Sequence, residues 1–253
     1  MKMEFISWHE EIQQISPKKD EEKNRLQRIL ELQSEVVNAY EAKDNYKGYD
    51  FDLNNHISIL VDNFAAYKYN LYESIMLHYA KEFSDFSPDL WNWSIKNASE
   101  YLDRVYCVDK ILSISHPDFN YPENPMQINV QIKACRYESE RLLLPVRKSI
   151  KYTNNKGNSY SHPRELSNLN NIQIFIWYHW CPIRHDVIIH ALKEPRKLFS
   201  LLQIEKGFYK ERIAGNPLKI GDDHKKAEVL YLDPTADQFP SDNFIFVHNP
   251  FVH

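Results

Sequence analysis

Residues 126–134, Met-Gln-Ile-Asn-Val-Gln-Ile-Lys-Ala, alternate without a break. Met126, Ile128, Val130, Ile132 and Ala134 fall on one side, and Gln127, Asn129, Gln131 and Lys133 on the other. Only an extended chain with a period of two sorts side chains this way, so the segment is a strand with one covered face. The chain is thereby committed to a sheet that has a second layer packed against it. The same period sets Gln131 and Lys133 side by side on the polar face. Ahead of the strand, residues 116–125 (His-Pro-Asp-Phe-Asn-Tyr-Pro-Glu-Asn-Pro) are a turn-forming stretch. They predict a hairpin that folds Asp118 back toward that polar face.

The rest of the chain reads as helix first and sheet later. Leu26, Ile29, Leu30, Val37 and Tyr40 keep helical spacing over 19–43, and a second long helix is predicted over 56–83. Ser87-Pro88-Asp89 predicts a third helix, with Ser87 as N-cap, running to about Leu102. From Arg104 the β-branched content rises, and a strand is predicted over 104–115. Further strands are predicted at Leu142–Tyr152, at 172–180, at Val187–Leu192, at Glu228–Leu232 and at Phe244–Val247, with a short helix near 195–203. Residues 153–171 read as a long polar loop and 204–226 as a basic loop. The expected class is α/β in the α+β sense: one domain over 1–253, mainly helical over 1–103 and sheet-containing over 104–253. The helical part packs on a central mixed sheet.

Composition excludes several classes. None of the five glycines, Gly48, Gly157, Gly207, Gly215 and Gly221, builds a phosphate-cradling loop, so no nucleotide cofactor is expected. There is no G-x-S-x-G elbow. No run of about 18 apolar residues exists, so no membrane span is expected. The first residues, MKMEFISWHEEIQQ, lack an apolar core and do not read as a signal peptide. Three well-separated cysteines, Cys107, Cys135 and Cys181, read as reduced thiols of a cytoplasmic protein. Charge is sorted along the chain. Residues 1–125 carry 13 Lys/Arg against 22 Asp/Glu, a net −9; residues 126–226 carry 18 against 9, a net +9; residues 227–253 carry four acids and no Lys/Arg. A basic half that begins at the Gln-x-Lys strand suits a polyanionic partner.

Pro117-Asp118, a hairpin turn and Gln131-Ile132-Lys133 on an alternating strand resemble the Pro-Asp…acid-x-Lys pattern of the PD-(D/E)XK nucleases, the superfamily of many type II restriction endonucleases. The resemblance covers about 20 residues, and Gln131 stands where the pattern has an acid. It implies a restriction-endonuclease-like core and a Mg²⁺-dependent, site-specific endonuclease of a restriction system. Such an enzyme would hydrolyse double-stranded DNA as a homodimer. Asp118, Gln131 and Lys133 are then catalytic. Asp118, Gln131 and the Ile132 carbonyl hold the metal, and Lys133 orients the water. A further acid from a helix (Glu73, Glu82 or Glu100) and Asp109 as a competing first acid stay open. Cations and hydrogen-bonding groups around the site are the expected DNA contacts: Arg136, Arg147, Lys148, Lys151, Asn154, Asn155, Lys156, Asn158, Ser159, Tyr160 and Arg164.

Two other readings compete. Arg184 and His190 are spaced as in the HEPN ribonucleases, which they resemble, and imply metal-independent cleavage of RNA. A protein that binds DNA without cutting it, its site decayed at Gln131, is the third reading. A zinc site from His179, Cys181, His185 and His190 lacks the paired knuckles that structural zinc prefers.

Overall fold

The computed structural model describes residues 20–46, 51–82, 87–117, 124–136, 142–153, 156–197, 209–220, 223–235, 239 and 241–250. The first helix, α1 (Asp20–Asn45), buries Ile29, Leu32, Val36, Ala39 and Tyr40, spaced three or four apart along one face. Two helices, α2 (Phe51–Tyr69) and α3 (Leu71–Ala80), replace the single one predicted over 56–83. The break falls at Asn70, whose φ of 50° is left-handed, a conformation Asn tolerates better than most residues. Arg25 of α1 holds this junction by donating to the Tyr67 carbonyl at 2.8 Å and to Asn70 Oδ1 at 2.5 Å.

Ser87-Pro88 opens only a 3-10 turn, Pro88–Leu90, and residues beyond it form strand β1 (Asn92–Asn97) where helix was predicted. Pairing with β2 (Lys110–Ser115) along Trp93↔Ile114 and Ile95↔Leu112 overrides the local cap signal. The third helix comes later, as α4 (Glu100–Tyr106). Its N-cap is Ser99, whose hydroxyl accepts from the Leu102 N–H at 3.3 Å. It closes at Cys107 with a left-handed φ of 56°, so the strand predicted from 104 begins at Lys110.

The central sheet has six strands in the order β1-β2-β3-β6-β7-β10, with β3 Met126–Arg136, β6 Ile174–Cys181, β7 Asp186–Lys193 and β10 Phe244–His248. β3 and β6 are parallel and every other neighbouring pair is antiparallel, so the sheet is mixed and the class is α+β. A parallel step needs a long crossover. Here it carries β4 (Leu144–Thr153), β5 (Ser159–Pro163) and a 3-10 helix, Glu165–Asn171. The segment predicted as loop over 153–171 therefore holds two elements. β4 and β5 join β8 (Tyr209–Ile220) and β9 (Asp223–Leu232) in a second sheet, order β5-β4-β9-β8. The basic stretch 204–226 is thus largely strand, because β9 is paired on both sides.

The two faces of the central sheet are covered differently. Leu112, Ile114, Ile128, Val130, Ile174, Ile176, Tyr178 and Ile189 pack with α1–α3 in one core. Phe175, Trp177, Ile188 and Leu192 pack with Leu144, Val146, Leu230 and Leu232 of the second sheet in another. β6 is buried on both faces, as its unbroken apolar run requires. On the helical side, buried Asp62 of α2 accepts from the Tyr72 and Tyr178 hydroxyls at 2.6 Å each, and its second oxygen pairs with Lys110. Among the described residues no helix is long and apolar enough to cross a membrane. The three cysteines are free thiols.

Candidate active site

β3 keeps the predicted alternation. Ile128 and Val130, with Met126, Ile132 and Ala134 at the margin, join the helical core, which turns Gln127, Asn129, Gln131 and Lys133 toward the second sheet. Gln127 and Asn129 are taken up structurally. Gln127 Oε1 accepts from the Ser113 hydroxyl at 3.2 Å, and Asn129 Nδ2 donates to the Asn171 carbonyl at 2.9 Å. Gln131 and Lys133 lie in register with Phe175 and Trp177 of β6, whose rings stack at 4.1 Å.

The acid beside them is Asp109. The ladder pairs Lys110 with Val130, and the Asp109 N–H donates to the Val130 carbonyl at 2.9 Å, so Asp109 stands across from Gln131. One carboxylate oxygen, Oδ2, accepts from Gln131 Nε2 and from the Ile132 N–H, each at 2.6 Å. Asp118 lies outside the described residues. Among the described residues the acid beside Gln131 is Asp109, the alternative left open by the sequence. The helix acids stay away. Glu82 pairs with Lys193 at 3.2 Å, Glu100 pairs with Arg104 at 2.6 Å, and Glu73 is exposed on α3, a helix of the opposite layer.

A third charged residue was not anticipated. Glu165, first residue of the 3-10 helix, is fully buried and lies 2.8 Å from Lys133 Nζ. Arg147 of β4 grips the same carboxylate: Nε donates at 3.0 and 3.1 Å, Nη2 at 2.5 Å and the backbone N–H at 3.0 Å. Arg164 Nε adds a longer contact at 3.7 Å. A lone Glu in a polar segment carries no periodic signal, so only the tertiary fold reveals it. Arg147 and Arg164, expected on DNA, are thus engaged inside the protein, and Arg136 pairs with Asp44. Lys156, Asn158, Ser159 and Tyr160 are exposed, and Lys148 is partly so. Lys151 sits in β4 opposite Ser161 and Lys226, while Asn154 and Asn155 lie outside the described residues.

The electrostatics separate the two acids. Burial pushes the Asp109 carboxyl up to about 6, against the pull of Lys133 and the Ile132 N–H. Burial acts on Glu165 too, but Lys133 and Arg147 overcome it and hold that carboxyl well below the usual carboxylate range. Lys133 is pushed down by burial and by Arg147, with Glu165 and Asp109 opposing.

Whether a divalent cation fits can be read from unmet polar atoms. Gln131 is 2% exposed, and its Oε1 has no hydrogen-bond partner. A buried carbonyl oxygen left bare is costly, so it marks a place for a cation or water. The Gln131 amide nitrogen, not this oxygen, meets Asp109 Oδ2 at 2.6 Å and the Ile132 carbonyl at 2.9 Å, so an all-oxygen set of the kind a hard cation accepts would form only with the amide turned over. No group of three His, Cys, Asp or Glu fit to hold a metal occurs among the described residues, so the set has one charged ligand.

The zinc constellation is not assembled among the described residues. His190 is 5% exposed on β7, and burial takes its pKa down to about 3. Arg184, in the turn before β7, donates to the Pro250 carbonyl at 2.6 Å. His179 is also buried, with its pKa down to about 4. No protein-family model, curated protein or solved structure matches the chain.

Proposed function

We propose that the protein is a Mg²⁺-dependent nuclease with a restriction-endonuclease-like core, hydrolysing phosphodiester bonds of double-stranded DNA at Asp109, Gln131 and Lys133. The observation that carries this reading is the buried Gln131 side chain against the Asp109 carboxylate, its Oε1 without a hydrogen-bond partner, with Lys133 next on the same strand face. Mg²⁺ bound there supplies Lewis acidity toward a phosphate oxygen and lowers the pKa of bound water.

The residues divide the work by charge and geometry. Asp109 provides the single negative charge of the oxygen set. Gln131 must turn its amide about, since Nε2 now donates to Asp109. Rotation by half a turn would bring Oε1 beside the carboxylate, so that Asp109 and Gln131 would hold the cation together. Lys133, 16% exposed in its side chain, is within reach of solvent at the edge of the layer. Its ammonium can orient a water and stabilise charge on the phosphate in the transition state. The exposed β4–β5 turn and the basic half of the chain supply the grip on the DNA backbone. Two copies acting together would cut both strands, in keeping with the homodimer that the resemblance implies.

Incubating a mixed-sequence plasmid with the protein and Mg²⁺ tests this. Discrete bands are expected for a site-specific enzyme, with none in EDTA and none from Asp109→Ala or Lys133→Ala. Plasmid left intact by the wild type, or cut equally by Asp109→Ala, overturns the reading.

A further inference from the structure

Gln131 is neutral and brings no negative charge to the strand face it shares with Lys133. Yet Lys133 is not left without an anion: Glu165 reaches it at 2.8 Å from the opposite layer. Glu165 is itself immobilised. Three side-chain contacts and a backbone N–H from Arg147 fix both of its oxygens, and burial is complete. An anion held this firmly, with only one nearby cation contributed by the catalytic strand, does more than neutralise Arg147.

We propose that Glu165, clamped by Arg147, is the positioning residue for Lys133, supplying from the 3-10 helix the negative charge that Gln131 lacks. Resting on the nuclease reading, this role makes two charges answer to two tasks. Asp109 is left for the cation, and Glu165 serves the ammonium.

The test reads Lys133 directly. Reductive methylation with labelled formaldehyde is followed against pH by mass spectrometry, with Lys133→Arg identifying the signal. Following pH separates a moved midpoint from a change in access. In Glu165→Gln the midpoint should move to lower pH, raising reactivity at pH 8 about tenfold, the equivalent of roughly one pKa unit. Plasmid cleavage should fall by about a hundredfold or more, with Glu165→Asp recovering part of both. Should Glu165→Gln fail to fold, Glu165→Asp alone decides: its midpoint and rate must lie away from the wild-type values. Unchanged midpoints in a folded variant, with wild-type cutting rates, overturn the positioning role and leave the nuclease reading standing. A wild type that never cuts, whatever its Lys133 midpoint, overturns both.

Discussion

In the proposed site a proton and a divalent cation would compete for the Asp109 carboxylate, which makes pH the cleanest perturbation. The carboxyl rises from an ordinary 3.8 to about 6, first because it is buried. That rise of about two units corresponds to roughly 3 kcal/mol. The group is then about 90% ionised at pH 7 and about 10% at pH 5. Apparent Mg²⁺ affinity should therefore fall about tenfold between pH 7 and pH 5. Calorimetric titration in two buffers of different protonation enthalpy reads affinity and proton release together. About 0.1 proton per Mg²⁺ is expected at pH 7 and about 0.9 at pH 5. Stability without metal runs the other way. The folded state holds the Asp109 proton more tightly than the unfolded chain, so this contribution is fully present below about 3.8 and is lost as pH rises through 6. Mg²⁺ should restore it. An affinity flat from pH 5 to 7, or the same proton release in Asp109→Asn, would refute both the assignment of the ligand and its raised pKa.

Asp62→Ala removes the shared acceptor of Tyr72 and Tyr178 and the partner of Lys110, leaving a largely buried ammonium unpaired. It should cost about 3–5 kcal/mol in urea unfolding, and a loss under 1 would show the knot to be dispensable. His190 has its pKa lowered, so its contribution is present above about 6.5 and is lost as pH falls toward 3. Between pH 7 and 5 the wild type should lose about 2 kcal/mol more than His190→Gln, measured by urea midpoints; equal losses would place a charged imidazole there. Affinity for duplex DNA should weaken steeply with salt, and Lys156→Ala should reduce the slope by about one; a flat salt dependence removes the basic half as a DNA grip.

Patterns of short range were legible before any coordinates. The alternation of 126–134 decided which way Gln131 and Lys133 face, and the apolar run at 172–180 decided that β6 is interior, because period and burial are local properties of a strand. Helical spacing located α1, and the sorted charge marked the basic half. What escaped was whatever depends on a distant partner. Strand β1 exists because β2 pairs with it, and the basic β8 and β9 exist because β4 completes their ladder. In each case pairing outweighs a local signal that pointed to helix or loop. Asp109 meets Gln131 because the β2–β3 register sets Lys110 against Val130. Glu165 is the extreme case. Nothing in its neighbours distinguishes it, and it becomes the counter-ion of Lys133 only because the crossover from β3 to β6 folds back over the sheet. A sequence determines faces, since side-chain period is set by the backbone. Which charges meet across two layers is set by topology, and topology decided this site.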